Sequence, residues 1–106
     1  WGTDIDINNL KNTYFESGSG LSEYTWLVEN AHDYGFCQPY TDKNTGRTGY
    51  EQEKWHWSYV VKSSHYLQDY LLHIDYDVVA GFYGSEYATE LAVIEKYVNG
   101  IDPSCL

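Results

Sequence analysis

The sequence predicts an α+β domain with a small antiparallel sheet packed against helices, and three observations predict it. Residues 2–7 and 55–61 alternate side-chain character with the two-residue period of a strand. A stretch between them has helical spacing. After residue 62 the period is helical only, so strands with one intervening helix give way to helices alone. A length of 106 residues fits one domain, 1–106, with its core at 1–61 and a helical C-terminal extension at 62–106.

Each element follows from local chemistry. Gly2–Ile7 sets Ile5 and Ile7 on one face and Asp4 and Asp6 on the other, a half-buried strand whose polar face carries carboxylates. Residues 8–20 read as a polar surface loop with Gly and Ser. Ser22 then serves as a helix N-cap; Tyr24, Leu27, Val28, Ala31 and Tyr34 form the apolar stripe, and Gly35 is the stop. Phe36–Tyr40 reads as a strand ending near Pro39, and Thr41–Gly49 as the turn of a hairpin. In Trp55–Val61, Trp55, Trp57 and Tyr59 share one side, and His56, Ser58 and Val60 the other. Ser63 or Ser64 caps a helix with Tyr66, Leu67, Tyr70, Leu71 and Ile74 on one stripe, ended by the GFYG break at 81–84. Ser85 caps a last helix with Tyr87 or Ala88, Leu91, Ile94, Tyr97 and Val98 inward, stopped by Gly100.

Composition narrows the function. Twelve Tyr, four Trp and three Phe supply enough ring area to argue against disorder. Six Lys plus Arg stand against sixteen Asp plus Glu, a net charge of −10. With one Arg and no basic run, the chain lacks what duplex nucleic acid or an anionic membrane surface requires. No apolar stretch approaches the roughly 20 residues of a membrane-spanning helix. The chain opens on Trp1 within a strand pattern, which reads as a processed or trimmed piece. Cys37 and Cys105 allow one disulfide or two buried thiols, and the sequence leaves that open.

Three polar residues stand out as candidate chemistry. Asp6 lies on the carboxylate face of the first strand, His56 between two Trp on another, and Glu53 three residues before His56. A carboxylate, an imidazole and an unligated second carboxylate are the parts of a catalytic zinc site. Each also has a plain reading: a solvated strand residue, a core histidine bonded to a carbonyl, a surface carboxylate. Asp4 is the reserve ligand or the carboxylate behind the imidazole. Arg47, the lone Arg, reads as a hairpin-tip surface residue that could also hold a substrate carboxylate. His32, His65 and His73 fall on outer helix faces, and no EF-hand loop for calcium occurs.

Four stretches carry a resemblance: WGTDID at 1–6, WLVENAHDYGF at 26–36, TGY at 48–50 and EKWHW at 53–57. Together they resemble the zinc D-alanyl-D-alanine carboxypeptidase family, which includes the vancomycin-resistance D,D-carboxypeptidases. The zinc site of that family is related to those of lysostaphin-type endopeptidases and the hedgehog signalling domain. The family pattern is a His, a Gly three residues on, an Asp seven residues on, and much later Glu-x-Trp-His. Gly2 and Asp6 match the first motif, and Glu53, Trp55 and His56 the last.

The resemblance implies that Asp6 and His56 are zinc ligands, Glu53 the general base and Trp55 a packing residue beside the site. Zinc would lower the pKa of its water to ~7, and Glu53 would take the proton before hydroxide attacks the amide carbonyl. The implied partner is the peptide stem of peptidoglycan, and the implied location the bacterial cell envelope. Residues 1–61 would then be the metal-site core of a peptidase domain that lacks its N-terminal part. The family's first His would fall two residues before Trp1, so weak or absent zinc binding is the expectation for this chain. The other reading from the same scaffold is a non-catalytic cell-wall-binding or interaction module.

Overall fold

The structure, a computed structural model, describes all 106 residues. Its sheet has three strands, β1 (Asp4–Asp6), β2 (Phe36–Cys37) and β3 (His56–Tyr59), in the order β1-β3-β2. Both pairings are antiparallel. Helix α1 (Gly18–Asn30) joins the first two strands, and α2 (Val60–His73) leaves directly from the third. A single turn, α3 (Ala88–Leu91), and a wide five-residue turn at Ile94–Val98 follow. The α+β class and the small antiparallel sheet packed with helices hold.

Register sets the site. Asp4 lies across from Ser58, Ile5 from Trp57 and Asp6 from His56. With a side-chain period of two, Asp4, Asp6, His56 and Ser58 share one face, while Ile5 and Trp57 share the other. Trp57 is buried and its indole N–H donates to the Lys54 carbonyl at 3.1 Å. Strand β1, expected to be half-buried, is exposed along its whole length, and Ile5 keeps 46% of its surface. The cause is its place at the sheet edge, where only β3 flanks it.

Several boundaries differ from the sequence pattern. Helix α1 begins at Gly18, inside the expected loop, and Ser22 lies within it. Gly20 makes this possible, because a Cβ there would stand 2.1 Å from the Tyr14 carbonyl oxygen. The short helical turn Asn12–Glu16 packs against α1 and buries Phe15 completely between Tyr14 and Tyr24. Gly35, in the left-handed conformation, stops the first helical segment as expected. Strand β2 ends at Cys37, and its partner begins only at His56, so the two are joined by a long bonded loop rather than a hairpin turn. Trp55 precedes β3, and Val60 and Val61 open α2, so Ser63 and Ser64 sit inside that helix rather than capping it. The expected last helix is broken at Ala92, whose φ of 50° puts it in the left-handed region. Of its inward stripe, Ala88 and Ile94 are buried, whereas Leu91 and Tyr87 stay exposed.

Cys37 and Cys105, 68 positions apart in sequence, form a disulfide that joins β2 to the C-terminal turn. No helix is long and apolar enough to cross a membrane.

Candidate active site

The site is built on the Asp4–Ser58 and Asp6–His56 cross-strand pairs. His56 Nδ1 lies 2.8 Å from Asp6 Oδ1, and Nε2 lies 3.0 Å from Asp4 Oδ2. A carboxylate only accepts, so both ring nitrogens donate and His56 is an imidazolium in this arrangement. Glu53 Oε2 stands 3.8 Å from the same Nδ1. Asp4 also accepts from the Ser58 hydroxyl at 2.6 Å and the Thr3 hydroxyl at 2.9 Å; Ser63 lies 3.0 Å behind Ser58. One imidazole therefore gathers three carboxylates, which the sequence separates by up to 52 positions.

Charge and burial shift these groups in opposite senses. Burial alone would push the Asp4 carboxyl up, but the hydrogen bonds from His56, Ser58 and Thr3 outweigh it and hold it at about 2. The Asp4 hydrogen bond raises His56 above its ordinary value; burial opposes this and the Asp6 bond adds to it. Tyr40 stacks on the His56 ring, centroids 5.0 Å apart and planes 29° off parallel.

The turn that carries Glu53 and His56 is fixed from outside. The Glu53 backbone N–H donates to the Tyr40 carbonyl at 2.9 Å, and His56 N–H to the Glu53 carbonyl at 3.3 Å. Buried Gln38 uses its amide nitrogen on the carbonyls of Tyr40 and Glu53, while its oxygen accepts from the Tyr24 hydroxyl. Asn12 bonds the Gln52 carbonyl and the Lys54 N–H. The half-buried Trp55 gives its carbonyl to the Ile7 N–H at 3.0 Å.

Arg47 is not at a surface tip. It is buried, and its five N–H donors go to the carbonyls of Thr41, Thr48, Tyr50 and Gly100. A guanidinium placed this way holds the 41–50 loop together, because four carbonyls would lose their partner without it. His32, His65 and His73 are exposed and away from this cluster.

Asp4, Asp6, Glu53 and His56 are thus brought together. Gln38, Tyr40 and Ser63 belong to the same assembly but have no signal in spacing. Ser58 belongs to it too and is signalled by its alternation with His56. The donor chemistry suits zinc in part: Asp6 Oδ1 and His56 Nδ1 are an oxygen and a nitrogen side by side, and Asp4 sits on the far ring nitrogen as carboxylates do behind metal-bound histidines. The carboxylates converge on the imidazole, however, and no three His, Cys, Asp or Glu side chains meet in a geometry that would hold a metal ion.

Residues 1–62 match the model of the VanY family, D-alanyl-D-alanine carboxypeptidase. The chain belongs to this VanY family. A D-alanyl-D-alanine carboxypeptidase of Enterococcus faecalis is 35% identical over 57 residues, which cover 54% of this chain and 19% of that protein. The chain thus spans about a fifth of the curated relative it matches. No solved structure matches it. The VanY match ends three residues into α2, so Asp4, Asp6, Glu53 and His56 lie within it and the C-terminal segment beyond it.

Proposed function

We propose that this chain carries part of the active site of a zinc-dependent D-alanyl-D-alanine peptidase that trims the stem peptides of peptidoglycan in the bacterial cell envelope. The observation that supports it best is the juxtaposition of Asp6 Oδ1 and His56 Nδ1 at 2.8 Å, with Glu53 beside the same nitrogen, in a VanY-family segment.

Asp6 and His56 would hold the ion, and His56 would give up its Nδ1 proton to do so. When bound, zinc supplies a Lewis acid that polarises an amide carbonyl and acidifies water. Asp4 keeps the proton on Nε2, which fixes the ring tautomer and leaves Nδ1 as the donor to metal. Glu53 takes a proton from the attacking water and returns it to the leaving amine. Two donors fall short of the three that a catalytic zinc normally keeps, so this chain by itself binds the ion weakly. One observation favours the other reading, a non-catalytic cell-wall module: both nitrogens of His56 are already bonded to carboxylates, a network complete without an ion.

The test is Glu53→Gln in the protein that hydrolyses a D-Ala-D-Ala-terminated peptide. The substitution should keep the metal and lower kcat by roughly 10²–10⁴-fold, the usual worth of a general base. Full activity in that variant removes Glu53 from the role.

A further inference from the structure

The C-terminal segment beyond the family match is stitched to the loop that faces His56. The Asp102 N–H donates to the Pro39 carbonyl at 2.8 Å, and the Thr41 hydroxyl donates to Asp102 at 2.6 Å. Arg47 reaches the Gly100 carbonyl at 3.1 Å, and the Thr48 hydroxyl reaches that of Lys96 at 3.0 Å. The Cys37–Cys105 disulfide closes the same seam. Gly49, at a φ of 76°, passes so close that a Cβ there would lie 2.3 Å from the Lys96 carbonyl oxygen.

Rings continue the seam to the site. Tyr97 packs edge-on against Tyr50 at 5.4 Å, Tyr50 lies 5.2 Å from Tyr40, and Tyr40 stacks on His56 at 5.0 Å. The Arg47 guanidinium sits over the same Tyr40 ring, 5.7 Å from its centre.

We propose that residues 96–106 are a clasp that seats Tyr40 on the His56 ring, which makes Tyr40 a positioning residue that fixes the plane of the imidazole between Asp4 and Asp6. An imidazole can rotate about its bond to Cβ at little cost, since a terminal torsion of this kind is broad. Asp4 and Asp6 hold its edge, and the flat contact with Tyr40 holds its face. The functional consequence, a ring plane preset for metal, rests on the zinc reading above; the stacking itself does not.

The experiment reads the ring protons of His56 by NMR in the 106-residue chain, with zinc alone titrated afterwards. A stacked ring shields these protons, so wild type and Tyr40→Phe should share an upfield position, and Tyr40→Ala should lose it. Zinc affinity should fall roughly 10–100-fold in Tyr40→Ala and stay near wild type in Tyr40→Phe, as for supporting residues of metal sites. Gly49→Ala, which wedges the seam open, and Thr41→Val with the disulfide reduced should both move His56 toward the Tyr40→Ala position. Unchanged His56 signals in folded Tyr40→Ala overturn the positioning role, and unchanged signals in folded Gly49→Ala overturn the clasp. If Gly49→Ala does not fold, Thr41→Val with the disulfide reduced decides the clasp by the same criterion. Shielding that behaves as stated with no zinc bound keeps the clasp and removes the zinc reading, so the two fail separately.

Discussion

Residues 1–62 and residues 63–106 solve the same problem with different means. In the first region Phe15 and Trp57 are buried, with Phe15 enclosed by Tyr14 and Tyr24, while Trp26 and Tyr34 stay at the surface. The second leaves large side chains on the surface, with Leu72 at 78% exposure and Tyr83 fully exposed. Beyond α2 its helices are short and interrupted, and its end is tied to the first region by a disulfide and a handful of side-chain bonds to carbonyls. The radius of gyration follows suit: 15.2 Å, against ~13 Å for a compact chain of this size. Both halves bury apolar side chains, Phe15 and Trp57 in the first and Leu67, Ala88 and Ile94 in the second, and the disulfide and carbonyl bonds add cross-links to the C-terminal half.

The sharpest way to break this comparison is a pair of truncations. Phe15→Ala empties a fully buried site and should cost about 3–5 kcal/mol of unfolding free energy. A loss under 1 kcal/mol in chemical denaturation would contradict the idea that the first region owes its stability to packing. The same measurement on Tyr83→Ala, in the other region, comes last in size and should stay within about 0.5 kcal/mol.

Between these lies the pH dependence of the carboxylate–imidazole cluster. Asp4 drops from its ordinary 3.8 to about 2, so its contribution is present above the ordinary value and is lost as pH falls toward 2. His56 is raised above its ordinary 6.5, so its contribution is complete below that value and fades as pH climbs through the raised one. The two share one interaction, which solvent access trims to about 1 kcal/mol. Denaturation midpoints should therefore be highest between these limits, and Asp4→Asn should flatten both flanks. A profile that Asp4→Asn leaves unchanged would show the cluster contributes nothing to stability.

How much was legible in the sequence follows the same division. Asp4, Asp6, His56 and Ser58 could be placed on one face because a strand alternates strictly, and pairing β1 with β3 then sets them opposite one another. The Gly35 stop was legible too, as a helix end needs a left-handed residue. The sequence pattern puts Arg47 at a surface tip because loops usually expose their charges, and only the fold brings four carbonyls to one place around it. Gln38 and Tyr40 gave no pattern because they act through loop backbone and a ring face, neither of which has a period. The last helix was over-read for the opposite reason. Ala92 is the best of helix formers, yet it takes a left-handed conformation where the chain turns between α3 and Ile94–Val98.

The central claim is that Asp6 and His56 hold one cation between them. Its most direct test is a zinc titration of the chain, followed at the His56 ring nitrogens by NMR. Weak binding that perturbs Nδ1, releases a proton and disappears in Asp6→Asn is the predicted result. A His56 ring unmoved by excess zinc, or tight one-to-one binding that survives His56→Ala, would contradict it.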